Sequence, residues 1–139
     1  MPMLQKALKV AYFAHDGQVD KGGNPYILHP LFVALTVDNT DEKVVALLHD
    51  VVEDTPIGLD ELRKQGFPQK IVDAVSVLTR EDGEDYFDYL SRVKDNKLAL
   101  AVKKADLRHN MDLSRLKGVT SADAKRIAKY QQAMSYLKK

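Results

Sequence analysis

The chain has 139 residues, with 21 Lys and Arg against 20 Asp and Glu, and so a formal net charge of +1. That balance gives no global electrostatic case for holding nucleic acid or an anionic membrane, and it points to a small partner. The length predicts one domain, 1–139, with a core of its own, and the absence of cysteine excludes a disulfide framework and a thiolate metal site.

The first predicted element is a helix in which Leu4, Leu8, Ala11 and Tyr12 repeat at three and four residues, stopping near Gly17. The opening MPMLQKALKVAYFAHDG is broken by Lys6 and Lys9 and has neither the apolar run of a membrane span nor the form of a signal peptide, so a cytoplasmic location is expected. GQVDKGGNPY reads as a loop, because Gly17, Gly22, Gly23 and Pro25 all disfavour a helix interior. A second helix is expected to begin at Pro30, with His29 just before its first turn, and to run to Asp38-Asn39. A third opens at Thr40-Asp41-Glu42 and carries Val44, Val45, Leu47, Leu48, Val51 and Val52, a wide apolar band that predicts a central, buried helix.

Further along, Leu59 to Lys64 predicts a short helix ended by Gly66, and Pro68 starts the next, with Ile71, Ala74, Val75 and Leu78 facing inward. Tyr86, Tyr89, Leu90 and Val93 mark another, ended near Asp95-Asn96. From Lys97 to Leu113, the residues Leu98, Ala101, Val102 and Ala105 share one face, and Asp106 and Asn110 are neighbours four apart. The last helix follows Thr120-Ser121, where Thr120 and Asp123 have capping-box spacing. No segment alternates as a strand would, so the expected fold class is all-α, a helical bundle.

The chemistry is concentrated in His29, the adjacent pair His49-Asp50, and Asp106. Each alone would read as a core residue or a helix cap; as a set they are the donors that hold a divalent ion such as manganese, iron or zinc. An unpaired Asp50 amid Leu47, Leu48, Val51 and Val52 would be costly, and a cation relieves that cost. Three or four protein ligands leave positions for water and substrate, as in a catalytic site. Glu53 and Asp54 follow within a turn, placed to orient water or take its proton, and a carboxylate opposing the helix dipole there suits such a role.

These residues lie in motifs, AHDGQVDKGGNPYILHPLFVA, LLHDVVEDT, LTR, DYFDYLSRV and VKKADLRHNMDLSRL, that occur in the order of the HD-domain hydrolase region of the RelA/SpoT family, which the chain resembles from about Ala7 to Leu116. The resemblance is strongest to the small stand-alone alarmone hydrolases. It implies an all-α HD-domain bundle that binds Mn²⁺ and removes the 3′-pyrophosphate of guanosine tetra- or pentaphosphate, a small nucleotide substrate. It also implies that His29, His49, Asp50 and Asp106 hold the metal, that Glu53 and Asp54 are the catalytic acids, and that Lys21, Asn110 and Arg80 contact the nucleotide. Nothing in these residues corresponds to the synthetase half of the long family members.

Two departures stand out. Asp20 occupies the first position of the family's basic pair, and Asp112-Leu113 replaces the usual Arg-Thr. Hydrolysis of a different nucleotide or phosphorylated metabolite, or a non-catalytic nucleotide-binding module, are the alternative expectations. Arg108 and Arg115 read as solvated helix residues, His15 as a local hydrogen-bonding group, and His109 as a ring facing away from Asp106.

Overall fold

Helix α1 (Met3–Ala14) turns the small side chains of Ala7 and Ala11 inward, which lets it lie close against α3 (Thr40–Leu48). The computed structural model describes residues 2–112 and 118–139, so Leu113, Arg115 and Leu116 lie outside the described part. All five residues from Val44 to Leu48 are buried. Helices α1, α2 (Leu28–Thr36) and α8 (Lys97–Asn110) all pack against α3, and α8 also touches α2. Around α8 are α6 (Gln69–Leu78), α7 (Tyr86–Lys94) and α9 (Ser121–Lys138), with α5 (Leu59–Lys64) against α6. Among the described residues there is no strand, only an isolated bridge between Val19 and Pro25 that closes the glycine-rich loop.

The helix ends follow local chemistry. Asn39, Asp85 and Asn96 each accept a backbone N–H of the first turn that follows, and Gly66, at φ +91°, ends the chain's fifth helix in the left-handed region open to glycine. At α9 the Thr120 hydroxyl accepts from Asp123 N while Asp123 accepts from Thr120 N, a reciprocal cap. Thr120→Ala should therefore lower stability by about 1 kcal/mol in a denaturant melt; no loss would show that α9 is held by packing alone.

The second and third predicted helices differ from the sequence expectation, and α2 ends at Thr36 rather than at Asp38-Asn39. Helix α2 starts at Leu28, so His29 lies inside its first turn, because Leu28 N and His29 N are already engaged by Pro25 O and Tyr26 O. Pro30 still falls in that first turn, where its missing N–H costs nothing. The long third helix breaks at His49-Asp50 into α3 and a one-turn α4 (Val51–Asp54). There His49 Nδ1 occupies Ala46 O at 2.5 Å, the carbonyl that Asp50 N would take in an unbroken helix.

Candidate active site

The break has a chemical result. On a regular helix His49 and Asp50 would diverge by about a hundred degrees; as the last cap of α3 and the first of α4 they converge, with His49 Nε2 3.2 Å from Asp50 Oδ2. His29 arrives from the first turn of α2 and Asp106 from the middle of α8, both buried. His29 Nε2 lies 2.7 Å from Asp106 Oδ1 and 3.8 Å from Asp50 Oδ2, and His49 Nε2 lies 3.4 Å from Asp106 Oδ1. One ligand atom from each of His29, His49 and Asp50 fits within 4.8 Å of the others. All four residues read from the sequence as a set are thus gathered from three segments far apart in the chain.

The donor set fits a divalent ion. His49 Nε2 is buried and has no hydrogen-bond partner among the described residues, while its other ring nitrogen is fixed on Ala46 O. A ring nitrogen so aimed, beside two carboxylates, is placed to ligate a metal ion that displaces its proton. Burial works against a charged His49, but the carboxylates of Asp50 and Asp106 outweigh it and raise its pKa well above the usual value. Burial likewise opposes ionised Asp106, yet Lys103, His29 and His49 hold its carboxyl well below the ordinary range.

Around this cluster sits a ring of polar groups. Tyr26 Oη donates to Asp50 Oδ2 at 2.5 Å, and burial followed by the charge of Asp50 pushes its pKa far up, so it stays a donor. Lys103 Nζ lies 3.2 Å from Asp106 Oδ2 and Asn110 Nδ2 donates to Asp106 Oδ1 at 3.3 Å. Glu53 and Asp54 occupy the exposed end of α4; desolvation by the surrounding protein, then the charge of Asp50, raises the pKa of both. His15 is buried and bound through Nδ1 to Gln18 Oε1 at 2.9 Å, the local role expected of it.

A cavity of about 290 Å³ adjoins the cluster, since its lining includes both Tyr26 and Asn110. Lys21 and Asp20 close it from the glycine-rich loop, Asp112 from the end of α8, and Arg126 and Tyr130 from α9. Asp20 has a structural reason of its own: Oδ1 accepts Gly22 N at 2.9 Å and Asn24 N at 3.0 Å, which folds the loop back on itself. Arg126 is paired with Asp123 of the helix cap.

Arg80 does not line that cavity. Its guanidinium donates to Glu84 O at 2.8 and 3.1 Å and lies 5.2 Å from the ring centre of Tyr86. Lys129 covers the same ring at 4.4 Å, and Lys103, which pairs with Asp106, lies 5.4 Å from the neighbouring Tyr89 ring, so Arg80 belongs to a group of cations around Tyr86 and Tyr89. Arg108 is exposed.

Sequence reasoning passed over Tyr26, Lys103, Arg126 and Tyr130, and it turned His109 away. Lys103 was legible as an i,i+3 partner of Asp106; nothing in the sequence signalled that α9 would wall the cavity. His109 in fact meets His29, with 2.6 Å between their Nδ1 atoms.

The fold and the His/Asp cluster define an all-helical protein with a candidate metal site. No family model matches the chain. It is 36% identical over 124 residues to a probable GTP pyrophosphokinase of Mycobacterium leprae, covering 80% of this chain and 16% of that protein. It is 38% identical over 117 residues to the guanosine-3′,5′-bis(diphosphate) 3′-pyrophosphohydrolase of Haemophilus influenzae, covering 73% and 17%. To the bifunctional (p)ppGpp synthase/hydrolase SpoT of Escherichia coli it is 32% identical over 124 residues, 78% and 17%. Among solved structures, one described as a metazoan ortholog of SpoT that hydrolyzes ppGpp superposes with a TM-score of 0.76 at 22% identity, over 99% of this chain and 85% of that one, and it shares the fold. The chain is similar in sequence to these proteins, and it spans about one sixth of the length of these curated relatives.

Proposed function

We propose that the chain is a metal-dependent phosphohydrolase that removes the 3′-pyrophosphate of guanosine tetra- or pentaphosphate, with Mn²⁺ as its ion. The observation that carries this is the meeting of His29, His49, Asp50 and Asp106 at the α3–α4 break, next to a cavity and one turn from two further carboxylates. The names of the relatives supply the substrate. A divalent ion held by these four residues would polarise a phosphoryl oxygen and lower the pKa of a bound water. Glu53, with Asp54 beside it, takes the proton of the attacking water. Tyr26 and Asn110 hold Asp50 and Asp106 in place through the hydrogen bonds described above.

The substrate's charge has partners on two sides. Lys21 lies at the cavity mouth, while Arg80, Lys103 and Lys129 lie around Tyr86 and Tyr89 on the other flank of Asp106. A polyanion entering a partly dry site needs that compensation.

A second reading has one observation in its favour. Asp20 and Asp112 both line the cavity, so its charge is less positive than a guanosine polyphosphate would favour, and a different nucleotide or phosphorylated metabolite becomes the competing substrate. Because Asp20 braces its own loop, Asp20→Arg would disturb the site and is a poor probe; Lys21→Ala is cleaner. The deciding experiment is release of pyrophosphate from guanosine tetraphosphate at millimolar Mn²⁺, alongside a phosphate-release screen of other nucleotides and phosphoesters. Pyrophosphate release, with a raised KM and little change in kcat for Lys21→Ala, supports the alarmone reading. Turnover of another phosphoester alone would leave the metal site standing and remove the substrate assignment. Metal binding without any turnover would indicate a binding module.

A further inference from the structure

We propose that the chain has a second ligand site, between α1 and α5, that takes a medium-chain monocarboxylate: one anionic head on an unbranched apolar body. The cavity there measures about 620 Å³, more than twice the 290 Å³ of the one beside the His/Asp cluster, and the two have no lining residue in common. Clefts that bury a small organic molecule run from about 300 to 1,000 Å³. Helix α1 contributes Val10 and Phe13, the segment that follows α4 contributes Pro56 and Ile57, and α5 contributes the fully buried Leu62, so most of the lining is apolar. Phe13 is 63% exposed, and an apolar occupant would take its ring out of water.

The polar groups lie at the helix edges. Lys6 and Lys9 are three apart on α1 and so neighbours on that helix, while Glu61 and Gln65 are four apart at the end of α5. Lys6 Nζ donates to Gln65 O at 2.6 Å and lies 5.7 Å from the ring centre of Phe67, which ties α1 to the end of α5. An ammonium has three N–H groups, so Lys6 has donors left for an incoming anion. The lining carries two ammonium groups against one carboxylate, and that carboxylate, of Glu61, already accepts from Gln65 Nε2 at 3.3 Å. A negatively charged head is the complement of such an edge. A membrane surface is met by an apolar helix face with a row of cations, and a docked helix needs apolar anchors at repeated spacing along a groove. A hollow with one cationic edge fits a single small amphiphile instead. The site is independent of the metal reading above.

The chain has no tryptophan, so Phe13→Trp places a single fluorescent reporter in the cavity wall. Titrated with decanoate below its micelle concentration, this variant should show a saturable blue shift at one equivalent per chain, and octanoate, shorter by two CH₂ groups, should bind about tenfold more weakly. Lys9 is exposed, and Lys9→Glu in the reporter chain should weaken decanoate by about three- to tenfold while leaving decanol unchanged. Ile57→Asp should abolish the shift for both ligands with the helical spectrum retained. In the parent chain, decanoate should move the backbone amide resonances of residues 6–13 and 57–65. A response that does not saturate, equal binding of decanol and decanoate in the parent chain, indifference to Lys9→Glu, or amide shifts centred on the His/Asp cluster would each overturn the proposal.

Discussion

Asp106→Ala should abolish metal binding and turnover and also lower the melting temperature of the metal-free chain by roughly 10–15 °C. Asp106 sits in the middle of α8, where it accepts from His29 Nε2 and Asn110 Nδ2 and faces Lys103 Nζ at 3.2 Å. Removing it leaves a largely buried ammonium and an imidazole without their acceptor, and breaking a buried pair by deleting one member costs about 3–5 kcal/mol. For a domain of this size each kcal/mol shifts the midpoint by roughly 3 °C. The sign with pH follows from the depressed pKa. Asp106 is ionised in the fold at all but strongly acidic pH, so its contribution is present at neutral pH, begins to fall as pH drops below the ordinary carboxyl value of 3.8, and is gone once pH has passed the depressed folded value. The comparison therefore belongs at pH 7, where the gap between the chains should be at its full size and should close in acid. Metal content equal to that of the parent chain would remove Asp106 from the ligand set. His49→Ala makes the complementary case: it should lose the ion while keeping the helical spectrum.

The second large effect is at Glu53. Glu53→Gln should keep the ion, since the four proposed ligands are untouched, and lose about a hundred- to ten-thousandfold in turnover, the usual worth of a placed general base. A base must be ionised to work, so the rate should rise with pH through the Glu53 pKa. Desolvation by its surroundings, with Asp50 and Asp54 nearby, places that value above the ordinary 4.5. The residual activity of the Gln variant should lack this acidic limb. A variant with full metal and undiminished turnover would assign the proton to Asp54 or to no side chain at all.

Much of the molecule was legible because it depends on local pattern. The helical period set by Leu4, Leu8 and Ala11, the capping-box spacing of Thr120 and Asp123, and the glycine stop at Gly66 act over one or two turns, and their elements stand where the sequence placed them. The set His29, His49, Asp50 and Asp106 was legible for another reason: buried imidazoles and carboxylates amid apolar neighbours are too costly to be incidental.

Tertiary structure decided the rest. The break at His49-Asp50 depends on a side chain outcompeting a backbone N–H for Ala46 O, a contest that periodicity cannot register. The role of Asp20 as a loop brace, the contact of His109 with His29, and the wall that Arg126 and Tyr130 give the cavity all join residues brought together by folding. The ligand types and the helices that carry them were thus written in the sequence. The direction each side chain faces, and so which residues complete the site, was set by packing between segments as many as 80 residues apart.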